Sequence, residues 1–269
     1  MGTRDCRRPA FGTRKGRQCQ RIWVLLALAA APWLTLGSRA WAQNCASPAN
    51  AIVAENCLPG NPSSQWDVSI DGDDPSMVGF ATDISVNQGG TINFKINTNA
   101  KAYTMDIYRM GYYGGMGARK VTSITPSVQL PQSQPACLTD STTNLVDCGN
   151  WAVSASWQVP TTATPGIYFV HLIRTDTQGK NQIFFIVRND SSTSAVLFQT
   201  SDETWQAYNE WDPSSDATPD PTRPGHSLYG PTGAYDLTNR AFKVSYNRPF
   251  HTRDLNLRPC PSSLGPSIP

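Results

Sequence analysis

Histidine is scarce: His171, His226 and His251 are the three in the chain. No two of the seven cysteines stand in CxxC spacing, so a zinc ribbon or finger is a poor reading. No serine sits in a GxSxG elbow. Without that strand-to-helix turn, a Ser–His–Asp arrangement assembled from these histidines has little support. Charge is thin and nearly balanced, with 22 basic against 20 acidic residues. Arg4, Arg7, Arg8, Arg14, Lys15, Arg17 and Arg21 crowd the first 21 positions, so the remainder is acidic. A nucleic-acid partner therefore has no electrostatic basis. Long hydrophobic runs are also missing, apart from residues 22–36, and that run falls short of the roughly 20 residues a spanning helix wants.

What is present at the amino terminus has the parts of an export signal. A basic head leads into the apolar run, followed by Ser38-Arg39-Ala40-Trp41-Ala42-Gln43. The small-residue end predicts cleavage after Ala42; an uncleaved signal anchor is the alternative. The expected location is secreted or periplasmic, with no stable membrane span after cleavage. Cys45 stands near Cys57, and Cys137 near Cys148. In an oxidising compartment two local disulfides are the economical pairing, each closing a loop of roughly 10–15 residues and stabilising by about 2–3 kcal/mol. Four cysteines allow three connectivities, and all three stay open on sequence alone. Cys260 is left over.

Residues 43–64 read as a leader, an extended arm or linker rich in Asn, Pro, Ala and Ser. Residues 65–189 read as all-β. Strand-length runs fall at 78–86, 91–97, 103–110, 151–159, 166–175 and 182–188. In the second, Ile92, Phe94 and Ile96 alternate with polar neighbours, the mark of a half-buried strand. In the fifth, Tyr168, Val170 and Leu172 interleave with Phe169, His171 and Ile173, so this strand reads as at least partly buried on both faces, with His171 half-buried. Turn signals such as Asn87-Gln88-Gly89-Gly90 and Thr164-Pro165-Gly166 separate the runs. The pattern predicts an immunoglobulin- or fibronectin-like β-sandwich, with residues 123–150 as an insertion stapled by its own bridge.

A different signal starts at residues 195–211, AVLFQTSDETWQAYNEW. A short apolar run, residues 195–198, predicts a buried strand. Thr200-Ser201-Asp202 suits a helix N-cap, and a periodic segment carrying Trp205, Tyr208 and Trp211 follows. A strand running into a capped helix is how an open α/β layer begins. Residues 241–246, AFKVSY, alternate like another strand. From Leu255 the chain shows no periodicity, so residues 195–254 read as the start of an α/β domain and 255–269 as an aberrant tail.

Several blocks then resemble a known family. Trp66-Asp67, Gly79-Phe80-Ala81-Thr82, Asp106-Ile107-Tyr108-Arg109-Met110-Gly111-Tyr112-Tyr113, Gly149-Asn150-Trp151, the stretch from Gln199-Thr200 to Asn209, and Val244-Ser245-Tyr246-Asn247-Arg248-Pro249-Phe250 are similar to secreted bacterial proteins related to the large (beta) subunit of N,N-dimethylformamidase. The resemblance spans residues 56–254. It implies a β-sandwich ahead of a glutamine amidotransferase-like α/β domain, hydrolysis of a linear amide C–N bond in a small substrate, and a mononuclear iron held by two tyrosines and a glutamate. Tyr208 of the AYN block is similar to the first tyrosine ligand, and Tyr229 of SLY to the second. The family's glutamate lies downstream, on a segment this chain does not show. The resemblance thus implies a truncated member, with iron absent and no amide turnover of its own.

Each site has a plainer reading beside the functional one. Tyr208 also reads, with Trp205 and Trp211, as an aromatic helix face packed on a core. Asp71-Gly72-Asp73-Asp74 carries the carboxylates calcium takes, yet lacks EF-hand spacing and reads equally as a solvated turn. In Arg109–Gly117, RMGYYGGMG, Tyr112 and Tyr113 could stack on a glycan; alternatively the glycines supply positive φ and the tyrosines cover a domain interface. The competing class of function is accordingly a secreted immunoglobulin-like module that binds a glycan or protein partner. Truncation further predicts that Val196, Leu197, Phe198, Val244 and Tyr246 lack neighbours to bury them.

Overall fold

Alternation decides the centre of the molecule. In β3 (Thr91–Thr98) the side chains of Ile92, Phe94 and Ile96 are fully buried, and the residues between them keep contact with solvent, as period-two geometry requires. This is a computed structural model, and it describes residues 44–68, 74–209, 211, 227–229 and 240–250. The chain divides after Ala42, and the described residues all belong to the second unit, Gln43–Pro269. The expected signal segment, Asp71–Asp73, His226, His251, Cys260 and the 255–269 tail lie outside the described residues.

The chain is β-rich, with several sheets. β3 lies between β1 (Met77–Ala81) and β8 (Ala155–Gln158) in an antiparallel three-stranded sheet. A second sheet runs β2 (Ser85–Asn87), β10 (Lys180–Arg188), β9 (Gly166–Arg174), β4 (Tyr103–Met110) and β5 (Ala118–Ile124). Its pairs are antiparallel except β2–β10. One apolar cluster is shared by both sheets, joining Phe94 and Ile96 to Trp157, Met105, Leu172 and Phe185. Phe94 and Trp157 both set their rings edge-on to Phe185. Each such side chain contributes about 1.5–3 kcal/mol on burial, so this cluster holds the two sheets together.

The single run expected at 78–86 is two strands, β1 and β2, in different sheets. The polar Thr82-Asp83 falls at the break between them, but two polar residues alone do not say that the partner sheet changes. β5 went unread because Arg119 and Lys120 interrupt its pattern; charged residues on an edge strand are a common guard against edge-to-edge pairing. The expected insertion contains a hairpin, β6 (Leu138–Asp140) and β7 (Leu145–Asp147), closed by the Cys137–Cys148 disulfide. Cys45 and Cys57 are also bridged, so both economical pairings are present.

The leader is more than an extended arm. Residues Ala51–Asn56 form a helix, α1, with Asn50 as N-cap accepting from the Val53 amide at 2.9 Å. The cap and the staple at Cys57 make so short a helix viable. Its Glu55 is buried and accepts bonds from Arg119 Nη2 at 2.6 Å, Arg119 Nε at 2.8 Å and the Tyr113 hydroxyl at 2.8 Å. Burial favours the neutral acid, but the Arg119 and Tyr113 bonds outweigh it and lower the Glu55 pKa.

Residues 61–68 continue across the outer face of the five-stranded sheet. Trp66 packs on Phe169, which stacks on Tyr108 with centroids 5.4 Å apart and planes within 7°. Gln182 Nε2 donates to the Trp66 carbonyl. Beneath this strap His171 is fully buried, which corrects the half-buried expectation. Local alternation identified two apolar faces on β9 but could not reveal a cover supplied from about a hundred residues away.

The RMGYYGGMG block divides along its two tyrosines. Tyr113 is 2% exposed and Tyr112 is 61% exposed, so the pair is no stacking platform. Arg109 is buried and donates to the carbonyls of Thr164 and Pro165 and to the Tyr113 hydroxyl. Tyr113, Gly114, Gly115 and Gly117 all have positive φ. At Gly117 a Cβ would also meet the Trp66 ring at 2.9 Å, so this glycine serves both the turn and the close approach. Tyr113 covers an interface, that between the leader and the sheet.

After β10 the expected strands are not formed, while the exposure expected of Val196, Leu197 and Phe198 is found. Val196, Leu197 and Phe198 form no strand and are 79–89% exposed; among the described residues nothing pairs with them. Residues 241–246 form no strand either, although Ala241 is fully buried. Chymotrypsin is expected to cut first after Leu197 or Phe198, since exposed, unpaired backbone is the preferred site of nicking. Fragment masses from a brief digest test this, and first cleavage within β9 or β10 counts against it.

Candidate functional site

The site grows from α2 (Asp202–Tyr208). Thr200 and Ser201 precede it as expected, and Asp202 and Glu203 in its first turn suit the positive end of the helix dipole. Ser201 makes no side-chain cap bond. Seven residues are too few to hold a helix unaided, because nucleation is costly, so its place depends on three later segments.

The first of these is residues 227–229. The Leu228 amide donates to the Ala207 carbonyl at 2.9 Å. This docking sets the Tyr229 ring on the Tyr208 ring, with centroids 4.1 Å apart and planes within 14°. The structure therefore brings together both tyrosines singled out in the sequence. Tyr208 is 51% exposed and Tyr229 37%, so neither is a core residue. The packed aromatic is Trp211 instead, which lies beyond the end of α2 and so is not part of a helix face. That residue is buried against Trp151, edge to face at 6.2 Å, in a cluster with Val78, Phe80, Val146 and Cys148.

The second segment is residues 246–250. Arg248 is 1% exposed, and its Nη2 donates to the carbonyls of Gln206 at 3.0 Å and Asn209 at 2.9 Å. A guanidinium on the last carbonyls of a helix complements the negative end of its dipole. Burial draws the Arg248 pKa down to about 10, which still leaves it charged at neutral pH. Asn209 Nδ2 donates to the Pro249 carbonyl at 2.9 Å. The Tyr246 hydroxyl donates to Asp202 Oδ2 at 2.9 Å. Burial, then the Asp202 bond, pushes the Tyr246 pKa up to about 12. For Asp202, burial is outweighed by bonds from Thr200 and Tyr246, and the carboxyl is held below its usual range. A small cleft of about 50 Å³ lies between Phe80 and Ile183 of the sheets and Trp205, Gln206, Tyr246 and Arg248.

The third segment, residues 240–245, joins this assembly to the stapled hairpin. The Phe242 amide donates to Thr143, and Ser245 Oγ to Asp147 Oδ2 at 2.6 Å.

Phenolate oxygens are hard donors suited to a ferric ion. In donor type and in adjacency, Tyr208 and Tyr229 fit two places of the ligand set implied by the resemblance. Among the described residues, no group of three or more His, Cys, Asp or Glu side chains could hold a metal ion. Asp74 of the calcium candidate accepts from the Ser76 amide and hydroxyl and faces Arg174 at 4.0 Å. His171 lies in β9, far in sequence from the tyrosines, and among the described residues no serine bonds to it. Sequence reasoning missed Tyr246, Arg248 and Asp147. The only available signal for the first two was their place in the VSYNRPF block; Asp147 had none. Among the described residues no helix is long and apolar enough to cross a membrane.

The family model described as N,N-dimethylformamidase beta subunit-like, C-terminal, matches residues 104–259. No curated protein matches the chain. Among solved structures, the M1 domain from titin aligns at 12% identity with a TM-score of 0.24, over 44% of this chain and 98% of that one. Pseudomonas fluorescens alkylpurine DNA glycosylase AlkC, solved bound to DNA containing an abasic site analog, aligns at 17% identity with a TM-score of 0.20, over 42% of this chain and 30% of that one. Likenesses this distant carry no argument about fold or function. The family match takes in β4, β9, β10, both stacked tyrosines and the RPF block, which is more than half of the sequence, and the chain therefore belongs to the N,N-dimethylformamidase beta subunit-like family.

Proposed function

We propose that this is an exported member of a family that hydrolyses small amides with iron, that Tyr208 and Tyr229 stand at two of the family's iron-ligand positions, and that this chain by itself does not turn amides over. The observation that carries the reading is the stack of these two rings at 4.1 Å, made by segments about twenty residues apart. Two disulfides are compatible with an oxidising, secreted or periplasmic setting. On this reading the two sheets are an immunoglobulin-like sandwich, and α2 with residues 227–229 and 240–250 belongs to the first part of an α/β catalytic layer.

A ferric ion supplies Lewis acidity for an amide carbonyl or a water. The chain's own residues bind and orient. Tyr208 and Tyr229 offer two phenolate oxygens. Arg248 holds the carboxyl-terminal end of α2 beneath Tyr208, and the Asp202–Tyr246 bond ties its amino-terminal end. As the resemblance implies, the isolated chain is expected to bind ferric ion weakly and to show no measurable amide turnover.

Titration with ferric ion is expected to raise a tyrosinate-to-iron charge-transfer band in the visible spectrum. Tyr208→Phe and Tyr229→Phe should each weaken binding by about tenfold or more, at least what loss of a residue that merely supports a ligand costs. A wild-type chain with no such band, or a band that survives both substitutions together, would sink the metal reading. Formate or amine release from a simple formamide would overturn the expectation of no turnover.

A further inference from the structure

The tyrosine pair stands on a scaffold that the family match does not explain. Tyr208 belongs to a seven-residue helix, too short to order itself, and Tyr229 to residues 227–229, which bond to that helix through the Leu228 amide. The hydrogen bonds from these two segments lead, through residues 240–249, to one place. Ala241 donates its amide to the Ser227 carbonyl, and Arg240 Nη1 reaches the Leu228 carbonyl. The same stretch then binds the stapled hairpin. Asn144 Nδ2 donates to the Arg240 carbonyl at 3.0 Å, the Phe242 amide to Thr143, and the Cys148 amide to the Asn247 carbonyl.

At the end of the hairpin, beside the disulfide, Asp147 gathers three donors. Its Oδ2 accepts from Ser245 Oγ at 2.6 Å and from Asn247 Nδ2 at 3.3 Å, and its Oδ1 from the Gly149 amide at 2.7 Å. Hydrogen bonds to a carboxylate are stronger than neutral ones. The Cys137–Cys148 bridge fixes the neighbouring residue, and the bridge sits in the apolar cluster that buries Trp211. Trp211 follows α2 by three positions, so the hairpin holds the surroundings of α2 at two places: through Asp147 to Ser245 and Asn247, and through the Cys148 cluster to Trp211.

The geometry points to Asp147, on the disulfide-closed hairpin, as a positioning residue for the Tyr208–Tyr229 pair. It touches neither ring. It orders residues 245–247, which seat Arg248 and Tyr246 against α2. The bearing on iron rests on the functional reading above; the bearing on helix order does not.

Amide hydrogen exchange of the full chain tests the positional part without metal. In Asp147→Ala, exchange over residues 203–209 and 228–229 should quicken by about tenfold, the loss expected from a few hydrogen bonds supporting a locally opening segment. Residues of β9 and β10 should keep wild-type protection. Asp147→Asn, which retains acceptor oxygen for Ser245 or Gly149, should recover most of the protection. Wild-type exchange at α2 in Asp147→Ala overturns the inference. If that variant loses sheet protection too, Ser245→Ala decides, since it removes one donor at a half-buried position; unchanged α2 exchange there overturns the inference equally. Ferric titration of the same proteins adds a second readout. Binding weakened in Asp147→Ala by a similar factor and rescued in Asp147→Asn supports positioning. A band that is absent from wild type sinks the iron reading, while exchange still decides the role of Asp147.

Discussion

Acidification from pH 6.5 to 4 is expected to remove about 3 kcal/mol of folding stability through His171 alone. The side chain is fully buried in β9, and among the described residues neither ring nitrogen has a hydrogen-bond partner. Burial, then the nearby Lys180 charge, draws its pKa from 6.5 to about 4; Asp106 and Asp67 act the other way and lose. Asp106 stands across from His171 in register but is engaged by Lys120 at 2.8 Å and by Ser123. Tyr108 meets the imidazole edge to face, which gives a proton no acceptor. In this window the unfolded chain binds a proton that the folded chain refuses, so stability is complete above pH 6.5 and falls as pH drops toward 4.

Urea unfolding of the wild type and of His171→Leu at pH 7, 5.5 and 4 isolates the effect. At pH 7 the two should be close, because an apolar group of similar size replaces an unsatisfied one. At pH 4 the variant should be the more stable, by about 3 kcal/mol relative to the pH 7 difference. Glu55 and Asp202 also lose stabilisation in acid, but both proteins carry them and they cancel in the comparison. A difference that stays flat with pH would show that His171 finds a partner when protonated.

Glu55→Ala is the second large effect, with an expected loss of about 3 kcal/mol, at the lower end for removing one member of a buried ion pair. The carboxylate satisfies Arg119 twice and Tyr113 once, and its other oxygen accepts from Thr164 at 3.3 Å. Its removal leaves the half-buried Arg119 and the buried Tyr113 hydroxyl without their acceptor. By contrast, the exposed Arg188–Asp190 pair is screened by solvent and should contribute little. Glu55→Gln keeps an acceptor but not the charge, and should lose roughly half as much. Because the folded pKa is depressed below 4.5, the stabilisation is present above that value and fades as pH falls through the lower folded value. The gap between wild type and Glu55→Gln, followed by thermal unfolding, should therefore close in acid. An unchanged melting temperature in Glu55→Ala would mean that the leader does not hold the sheet.

Strands such as β3, β4 and β9 were legible because their information is local. Ile92, Phe94 and Ile96 declare a buried face by spacing alone, and β4 has the bounds that its apolar pattern suggested. The two disulfides were the economical pairings, since close cysteines bridge with little rearrangement. Tyr208 and Tyr229 came from short blocks whose residue types survive outside any fold. The apolar run at 195–198 misled for the complementary reason: hydrophobicity predicts that a segment wants burial, and burial requires a partner surface.

By itself, then, the sequence determined the β-rich character, the faces of the central strands, the local cysteine bridges and the two tyrosines worth watching. Tertiary structure alone decided that residues 61–68 seal His171 inside, that the run at 78–86 divides between two sheets, and that Tyr229 lies on Tyr208. It also decided that a stapled hairpin about a hundred residues earlier supports the stretch holding α2. The physical reason is common to all four. Periodicity and propensity are properties of neighbours along the chain. Exclusion of water, the stacking of two rings and the acceptors of a carboxylate such as Asp147 depend on which distant segments arrive at the same place.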